Sequence, residues 1–397
     1  MKYDKWMLFV TILLIGFGAL MIYSSTSVIT PVLAKKNVTE FYYFKRHMFS
    51  MLIGFGIMFF TYRLKLSTIK KMAVPLLIFS FVLLILVFVP GIGVSANNAR
   101  RWIRLWPSTF QPSELVKLSM VIFLAKYMSM LEYRTDSLVS FIKPVLVMAV
   151  FQVVFLKQPD FGSVISLMLL TFIMLFLSGI RLRYLAYLSV LALPIIYKLI
   201  MEPYRLKRVM AFLDPWKDPQ GSGFQLVQSF IALGSGGLTG VGLGKSRQKL
   251  AFLPESHTDF IFSLIGEELG FIGVLVVITL FSFLFIKGIS IANRSRDKFV
   301  YYLAFGLSLM ISLQALINFA VATGMVPTKG LPLPFISYGG SSLFVNMAAI
   351  GILLNISKGE EDRKIADIDP KMIVRRKARL KIQNAKFKNQ NYGIPLF

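Results

Sequence analysis

Ten apolar runs dominate this chain, and each is close to the roughly 20 residues that an α-helix needs to cross a hydrocarbon core. They fall at 6–25, 47–62, 72–89, 113–131, 141–157, 163–179, 182–201, 259–286, 299–325 and 335–356. A chain of 397 residues that is 56% hydrophobic and only 16% charged is too apolar for a soluble domain pair. Lipid offers the backbone no hydrogen-bonding partner, so a spanning segment satisfies itself as a helix. The predicted fold class is an all-α polytopic membrane protein with ten transmembrane helices. The first run, Trp6–Tyr23, is too long for the apolar part of a signal peptide, and no clear small-residue cleavage site follows it. It reads as a retained span.

An even number of spans puts both termini on one side. The short loops on that side are basic, with Arg63, Lys65, Lys70 and Lys71, then Arg134 and Lys143, then Arg181 and Arg183, then Lys287, Arg294, Arg296 and Lys298. By the positive-inside rule that side is cytoplasmic. Residues 1–357 read as one membrane domain and 358–397 as a basic cytoplasmic tail. The net charge of +25 would suggest nucleic acid in a soluble protein. Here it reads as orientation signal and attraction to anionic lipid, with no nucleic-acid partner. Cysteine is absent, which excludes disulfides and thiolate metal sites.

Two predicted outer loops oppose the orientation signal. Residues 90–112 carry Arg100, Arg101 and Arg104; the large loop 202–258, between spans seven and eight, carries Arg205, Lys207, Arg208, Lys217, Lys245, Arg247 and Lys249. Long loops translocate regardless of charge. An anionic ligand on the outer face is the alternative reason to keep these residues, and arginine is suited to phosphate. The same loop has a helical stretch, Gln225–Ala232, and a glycine-rich run. Within it "GVGLGKS" (240–246) lacks the spacing and the preceding strand of a phosphate loop, so nucleotide binding is rejected. A flexible hinge, or a backbone amide cradle near a lipid pyrophosphate, remains.

Four further stretches hold ionisable groups near span ends. "LPESHTDFIFSLIGEELG" (253–270) contains Glu255, His257, Asp259, Glu267 and Glu268. Charges are costly in a bilayer and mark function there. Glu255, Ser256, Thr258 and Asp259 are all N-cap residue types, so part of this cluster is helix punctuation. Asp259 directly precedes Phe260-Ile261-Phe262 and is predicted at the membrane lip, where burial and nearby cations together tune a carboxylate as a base. Glu267, about 12 Å deeper at the helical rise, and Glu268 read as buried helix–helix hydrogen bonds. His257 reads as a neighbour that orients the loop.

"FQPSELVKL" (110–118) opens span four. Pro112 and Glu114 suit a first helical turn. Lys117 is one turn inside, on the face of Glu114; an internal ion pair and a ligand role are both open and can coexist. "KQPDFGS" (157–163) offers Asp160 as a cap for span six and repeats the Gln-Pro-acid pattern. "KGLPLPFISYGGSS" (329–342) combines a proline-stiffened approach with small residues that let helices pack closely; Lys329 is another outer cation and Ser337 a supporting candidate.

These stretches, with "GFQLVQSFIALGSGGLTGVGLG" (223–244), resemble the shape, elongation, division and sporulation family of FtsW, RodA and SpoVE over nearly all of residues 6–357. "GKSRQKLAFLPESHTDFIF" and "VPTKGLPLPFISYGGSS" are most similar to its division branch. The resemblance implies a peptidoglycan glycosyltransferase that polymerises lipid II at the outer leaflet of the bacterial cytoplasmic membrane, at the division septum. It implies undecaprenyl-pyrophosphate-linked glycan as the other substrate, and a class B penicillin-binding protein transpeptidase with other divisome proteins as partners. The family's essential aspartate falls on Asp259, its Glu-x-x-Lys on Glu114 and Lys117, its Gln-Pro-Asp turn on Asp160, and its Arg-Trp on Arg101-Trp102, with Arg100 one residue away.

The expected chemistry is attack of a GlcNAc 4-hydroxyl on an α-linked anomeric carbon, with inversion and with Asp259 as general base. The leaving pyrophosphate needs fixed cations, for which Lys117, Arg101, Arg100, Arg205, Arg208, Lys245 and Arg247 are candidates, with Glu114, Asp160, His257, Glu255, Lys329 and Ser337 in support. No cofactor is required; a divalent cation, Mg or Mn, stays open, although no carboxylate cage is visible. Two rival classes are a lipid II flippase, which would place its coupling groups near the midplane, and a non-catalytic scaffold for a penicillin-binding protein, which would tolerate loss of Asp259.

Overall fold

A computed structural model describes residues 3–26, 41–96, 99–105, 109–130, 138–181, 183, 184, 186, 187, 190, 201, 203–248, 257–328 and 330–368. In chain order these form α1 (Lys5–Thr26), α2 (Tyr42–Arg63), α3 (Leu66–Leu86), β1 (Gly93–Ala96), β2 (Ala99–Arg104), β3 (Thr109–Phe110), α4 (Pro112–Ser129), α5 (Leu138–Lys157) and α6 (Phe161–Leu177). There follow α7 (Pro203–Leu213), a 3₁₀ turn (Pro215–Lys217), α8 (Phe224–Ser235), α9 (Ile261–Arg294), α10 (Lys298–Ala322) and α11 (Gly340–Ile368).

Six of the described helices are long and apolar enough to cross a membrane: α1, α3, α5, α9, α10 and the Gly340–Lys358 part of α11. The chain is a polytopic integral membrane protein. Nine of the ten predicted runs contain a described helix, and the predicted span 182–201 lies largely outside the described residues. The helical stretch predicted at Gln225–Ala232 is α8. Helix α11 runs on to Ile368, past Ser357.

The membrane-length windows of α11 and α10 are 83% and 67% buried, against 22% for α9 and 28% for α3. Helices α10 and α11 therefore form the centre, and α4 packs against α10, α2 against α11, α9 against α10 and α3 against α4. The outer ring leaves Phe271, Ile272, Leu275 and Val276 of α9 exposed, as a lipid-facing surface allows. Contact between α2 and α11 is supplemented by Thr61, whose hydroxyl donates to the Ala348 carbonyl at 3.1 Å. At one end of the bundle Asp4 lies 3.5 Å from Lys287 and donates its N–H to Ser357 Oγ. Asp259 lies just before the opposite end of α9 from Lys287.

Several sequence expectations need correction. The predicted loop 90–112 holds a small antiparallel sheet, ordered β1-β2-β3, with Ile103 opposite both Gly93 and Phe110. β-branched and aromatic side chains favour it, and Ala99 and Ile103 are its buried positions. Helix α9 begins at Ile261 rather than 259, which leaves Asp259 in the preceding turn. Helix α11 begins at Gly340 rather than 335, so residues 330–339 form an irregular segment.

Helix α9 is broken at Gly270, which has φ 66° and ψ −164°. The glycine-rich run after α8 fills the break. Val241 and Gly242 donate to the carbonyls of Glu267 and Glu268, both at 3.0 Å, while Phe271 and Ile272 donate to those of Gly237 and Leu238 at 2.9 and 3.2 Å. These amides are bound to α9, so the run is a docking strap and not the anion cradle or loose hinge that its composition allowed. A Cβ at Gly270 would collide with the Gly240 nitrogen and the Leu238 carbonyl. Gly270→Ala is expected to cost about 1–3 kcal/mol from backbone strain alone, read as a lowered Tm of the purified protein in detergent.

Candidate active site

The turn His257-Thr258-Asp259 is fixed through its backbone. Three successive carbonyls are each held from the facing wall: that of His257 accepts from the Tyr338 N–H at 2.9 Å, that of Thr258 from Ser337 Oγ at 2.5 Å, and that of Asp259 from Asn318 Nδ2 at 2.8 Å. Asp259 is half-buried and its carboxylate lies against Gly330. The His257 ring packs on Tyr43 and Tyr338, with centroids at 5.3 and 5.8 Å. The second histidine of the chain, His47 of α2, reaches the same Tyr338 ring at 6.2 Å. Both histidines thus pack on the Tyr338 ring.

Residues 330–338 form the wall. Ser337 Oγ also accepts from the Leu333 N–H at 2.8 Å, closing a turn in which Phe335 adopts φ 65°. A positive φ on a bulky residue is a strained conformation, and here Phe335 is buried with the turn bonded around it.

Lys117 and Glu114 pair at 2.8 Å, with side chains 3% and 2% exposed. The pair is possible because Pro112 starts α4 in the first helical turn and puts both residues on its inner face. Lys117 also donates to Gln314 Oε1 at 2.8 Å, and Gln314 Nε2 donates to the Pro332 carbonyl and to Ser342 Oγ at 2.9 and 3.0 Å. Glu114 Oε2, Ser113 Oγ and Asn346 Oδ1 are buried with no hydrogen-bond partner among the described residues. Orphaned acceptors in a buried site are where a ligand group or water is owed.

Arg101 faces the turn between α5 and α6, with Nε donating to the Gln158 carbonyl at 3.3 Å and a terminal nitrogen to that of Pro159. Arg100, one residue away on β2, is exposed. Asp160 caps α6, accepting from the Ser163 amide at 3.3 Å and its hydroxyl at 2.8 Å, and it also receives Gln111 Nε2 at 3.4 Å. The Gln111 N–H in turn donates to Ser341 Oγ at 2.8 Å. Hydrogen bonds therefore join Asp160 through Gln111 to Ser341, whose neighbour Ser342 is bonded to Gln314 of the Lys117 cluster, and Arg101 holds the carbonyls just before Asp160.

The remaining cations are peripheral. Arg208 donates to the Thr328 carbonyl at 3.3 Å, and the side chains of Lys245 and Arg247 are exposed. Arg205 lies in α7; Glu255 and Lys329 fall outside the described residues. Asp218, in the turn before α8, accepts from the Ser222 amide and hydroxyl at 2.8 and 3.0 Å, and these bonds hold its pKa below the usual carboxylate range. Glu267 is not a helix–helix contact: it accepts from Ser246 Oγ and from the Arg247 N–H, tying the large loop to α9. Glu268 does bridge helices, accepting from Ser24 of α1 at 2.7 Å. Among the described residues no group of three or more His, Asp or Glu side chains stands ready to hold a metal ion.

Residues 5–362 match the family model described as cell cycle protein, that of FtsW, RodA and SpoVE. The chain belongs to the FtsW/RodA/SpoVE family. A probable peptidoglycan glycosyltransferase FtsW of Geobacter sulfurreducens is 44% identical over 358 residues, covering 90% of this chain and 95% of that protein. Stage V sporulation protein E of Bacillus subtilis is 40% identical over 358 residues, covering 89% and 97%. In a solved peptidoglycan synthase complex, described as coordinating polymerization and crosslinking, one chain matches with TM-score 0.74 and 30% identity, covering 91% of this chain and 99% of that one. RodA of Thermus thermophilus matches with TM-score 0.67 and 27% identity, covering 91% and 98%.

In this family member the residues that sequence reasoning passed over are amides and hydroxyls: Gln111, Gln158, Gln314, Asn318, Ser341 and Ser342. Gln314 and Asn318 had a legible signal, since two amides at i and i+4 inside an apolar run share one helix face and must find partners there. Gly330 is a further case. A Cβ there would stand 2.8 Å from Asp259 Oδ2, so Gly330→Ala is expected to displace the carboxylate. Turnover in a glycan-polymerisation assay should fall about 10–100-fold, in keeping with misplacements of about 1 Å, with an unchanged Tm.

Proposed function

We propose that this protein is a peptidoglycan glycosyltransferase that polymerises lipid II at the outer leaflet. The observation that carries the reading is Asp259, a carboxylate in a turn whose three carbonyls are clamped, facing a wall that is linked through Gln314 to the Lys117–Glu114 pair. In the proposed step the GlcNAc 4-hydroxyl of lipid II attacks the anomeric MurNAc carbon of the growing chain. Asp259 takes the hydroxyl proton as the new β-1,4 bond forms, and the bond to undecaprenyl pyrophosphate breaks with its electron pair on the leaving oxygen. Inversion follows from attack opposite the leaving group.

The leaving group gains charge in the transition state. Two of the three Lys117 donors go to Glu114 and Gln314, and the third is available to a phosphate oxygen. Arg101, ordered against the 158–159 carbonyls, is the second cation of this kind. Arg100, Arg208, Lys245 and Arg247 are exposed and would act in capture of the anionic lipid, with Arg205 assigned to the same set by sequence. His257, Ser337, Glu114 and Asp160 hold the fixed groups in place. Glu255 and Lys329 belong to the same reading by sequence alone.

The finer topology is part of the proposal: ten spans, both termini and residues 358–397 in the cytoplasm, and 202–258 as the large outer loop of a protein of the bacterial cytoplasmic membrane at the septum. The partner is a class B penicillin-binding protein transpeptidase, in keeping with the solved synthase complex. A lipid II flippase is the second reading, favoured by one observation, the ion pair buried one turn inside α4.

Asp259→Asn is expected to lower polymerisation of labelled lipid II by about 10²–10⁴-fold, the usual contribution of a general base, while lipid II binding persists. Normal glycan yield removes Asp259 as base, and flipping in liposomes with no polymerisation by the unaltered protein transfers the assignment to the second reading. Lys117→Met leaves a buried carboxylate unpaired and should destabilise by about 3–5 kcal/mol. The double variant Lys117→Met/Glu114→Leu should recover thermal stability but not turnover; recovery of both would remove Lys117 from the chemistry.

A further inference from the structure

Gln314 and Asn318 stand four residues apart on α10, on one face and about 6 Å apart along the axis. Both are buried, 2% and 1% exposed. Asn318 reaches two groups and Gln314 three. Asn318 Nδ2 donates to the carbonyl of Asp259 and to that of Leu331, both at 2.8 Å. Gln314 accepts from Lys117 through Oε1 at 2.8 Å and donates through Nε2 to the carbonyl of Pro332 at 2.9 Å and to Ser342 Oγ at 3.0 Å. Two adjacent wall carbonyls, Leu331 and Pro332, are therefore held by two amides one helical turn apart, and each amide has its other contact on a different part of the site.

We propose that Gln314 and Asn318 form a positioning bracket that sets the base and the buried cation on one common frame, the 331–332 backbone. The inference rests on the reading of Asp259 as general base and Lys117 as pyrophosphate contact. Asn318 fixes the turn that carries the base; Oδ1 of Asn318 is buried with no partner among the described residues, so its donors account for its place here. Gln314 fixes the ammonium, sharing it with Glu114 so that it is held from two sides. Neither side chain is asked to touch the reacting atoms. Because α10 is central and both amides sit on it, a shift of one contact is carried to the other through the shared 331–332 backbone and not through the large loop 202–258.

The two arms predict different kinetic signatures, which a shared structural role would not give. Asn318→Leu removes both donors at near-constant volume and should lower kcat for lipid II polymerisation at least tenfold, with KM within twofold of the unaltered protein. Gln314→Met should raise KM for lipid II at least fivefold, with kcat lowered less than threefold. Both are measured on the full-length purified protein in proteoliposomes, with kcat normalised to the fraction that binds lipid II, so that misfolded protein does not enter. If Asn318→Leu does not fold, Ser337→Ala, which loosens the neighbouring Thr258 carbonyl, should show the same kcat-only loss at three- to tenfold. The bracket is overturned if Asn318→Leu or Ser337→Ala keeps its normalised kcat, or if the two amide variants move kcat and KM by the same factors. Asp259→Asn is run alongside: activity there overturns the base assignment, whereas an inactive Asp259→Asn beside a fully active Asn318→Leu overturns the bracket alone.

Discussion

A polar group buried in a membrane bundle has little water to fall back on, and that constraint bears on the irregular segment 330–339. It leaves the regular helices between α10 and α11, so its carbonyls and amides have no ladder of their own. Its backbone groups are satisfied from neighbours, Leu331 and Pro332 by α10 amides and Leu333 by Ser337, while the hydroxyls of Ser341 and Ser342 at the start of α11 accept from Gln111 and Gln314. Each unmade bond would cost about 1–3 kcal/mol, so the irregular backbone is as firmly specified as a helix. The same bonds place Asp259 and Lys117. Stability and site geometry here are one set of interactions, which is why this end of the molecule holds a strained residue, Phe335, in a single conformation.

Helix α9 adds a second level of control. Its break at Gly270 separates a short piece, residues 261–269, from the long and more exposed remainder. The short piece begins two residues after Asp259, and the strap 237–242 and the Glu267 contact to Ser246 and Arg247 are bonded to it. Movement of the large loop would therefore be felt at the helix that follows the Asp259 turn. A continuous α9 would have offered no free carbonyls at 267 and 268 for the strap, because an unbroken helix uses its own.

The helices were largely legible in the sequence because lipid permits few alternatives to an apolar helix. The motifs that hold Asp259, Glu114, Lys117, Asp160 and Arg101 were legible because charges near a span end demand an explanation. What stayed hidden followed from pairings between distant segments. The sheet at 93–110 depends on Ile103 meeting Phe110 and Gly93, and no helical or apolar period announces it. The glycine run read as hinge or anion cradle because composition cannot say which carbonyls its amides will meet. Gln314 and Asn318 carry no charge and sit in an apolar run, so only their four-residue spacing hinted that they face inward together. Glu267 and Glu268 are adjacent, and the same character at both positions gave no sign that one binds a loop and the other a helix.

The cations divide by how they are held. Lys117 and Arg101 are ordered by named acceptors, and Lys117 is in a site with almost no solvent. Arg100, Lys245 and Arg247 are exposed on strands and loops. A fixed charge in low dielectric acts strongly and needs no reorganisation as negative charge develops, whereas exposed charges are screened within about 8–10 Å at physiological salt and serve to raise the local concentration of an anionic partner. For the proposed reaction, whose substrates both arrive by diffusion in the membrane, the two tiers would act in succession. In that proposal the exposed set draws the pyrophosphate toward the bundle end, and the ordered pair holds it there from binding through departure. The cost of burying Lys117 is met by Glu114 and Gln314 before any substrate arrives, so the cation needs neither desolvation nor rearrangement during the reaction. Under the proposed role, that preorganisation is the advantage of a charge on α4, one turn inside, over one on the loop above it, where a lysine would be simpler to accommodate and weaker in effect.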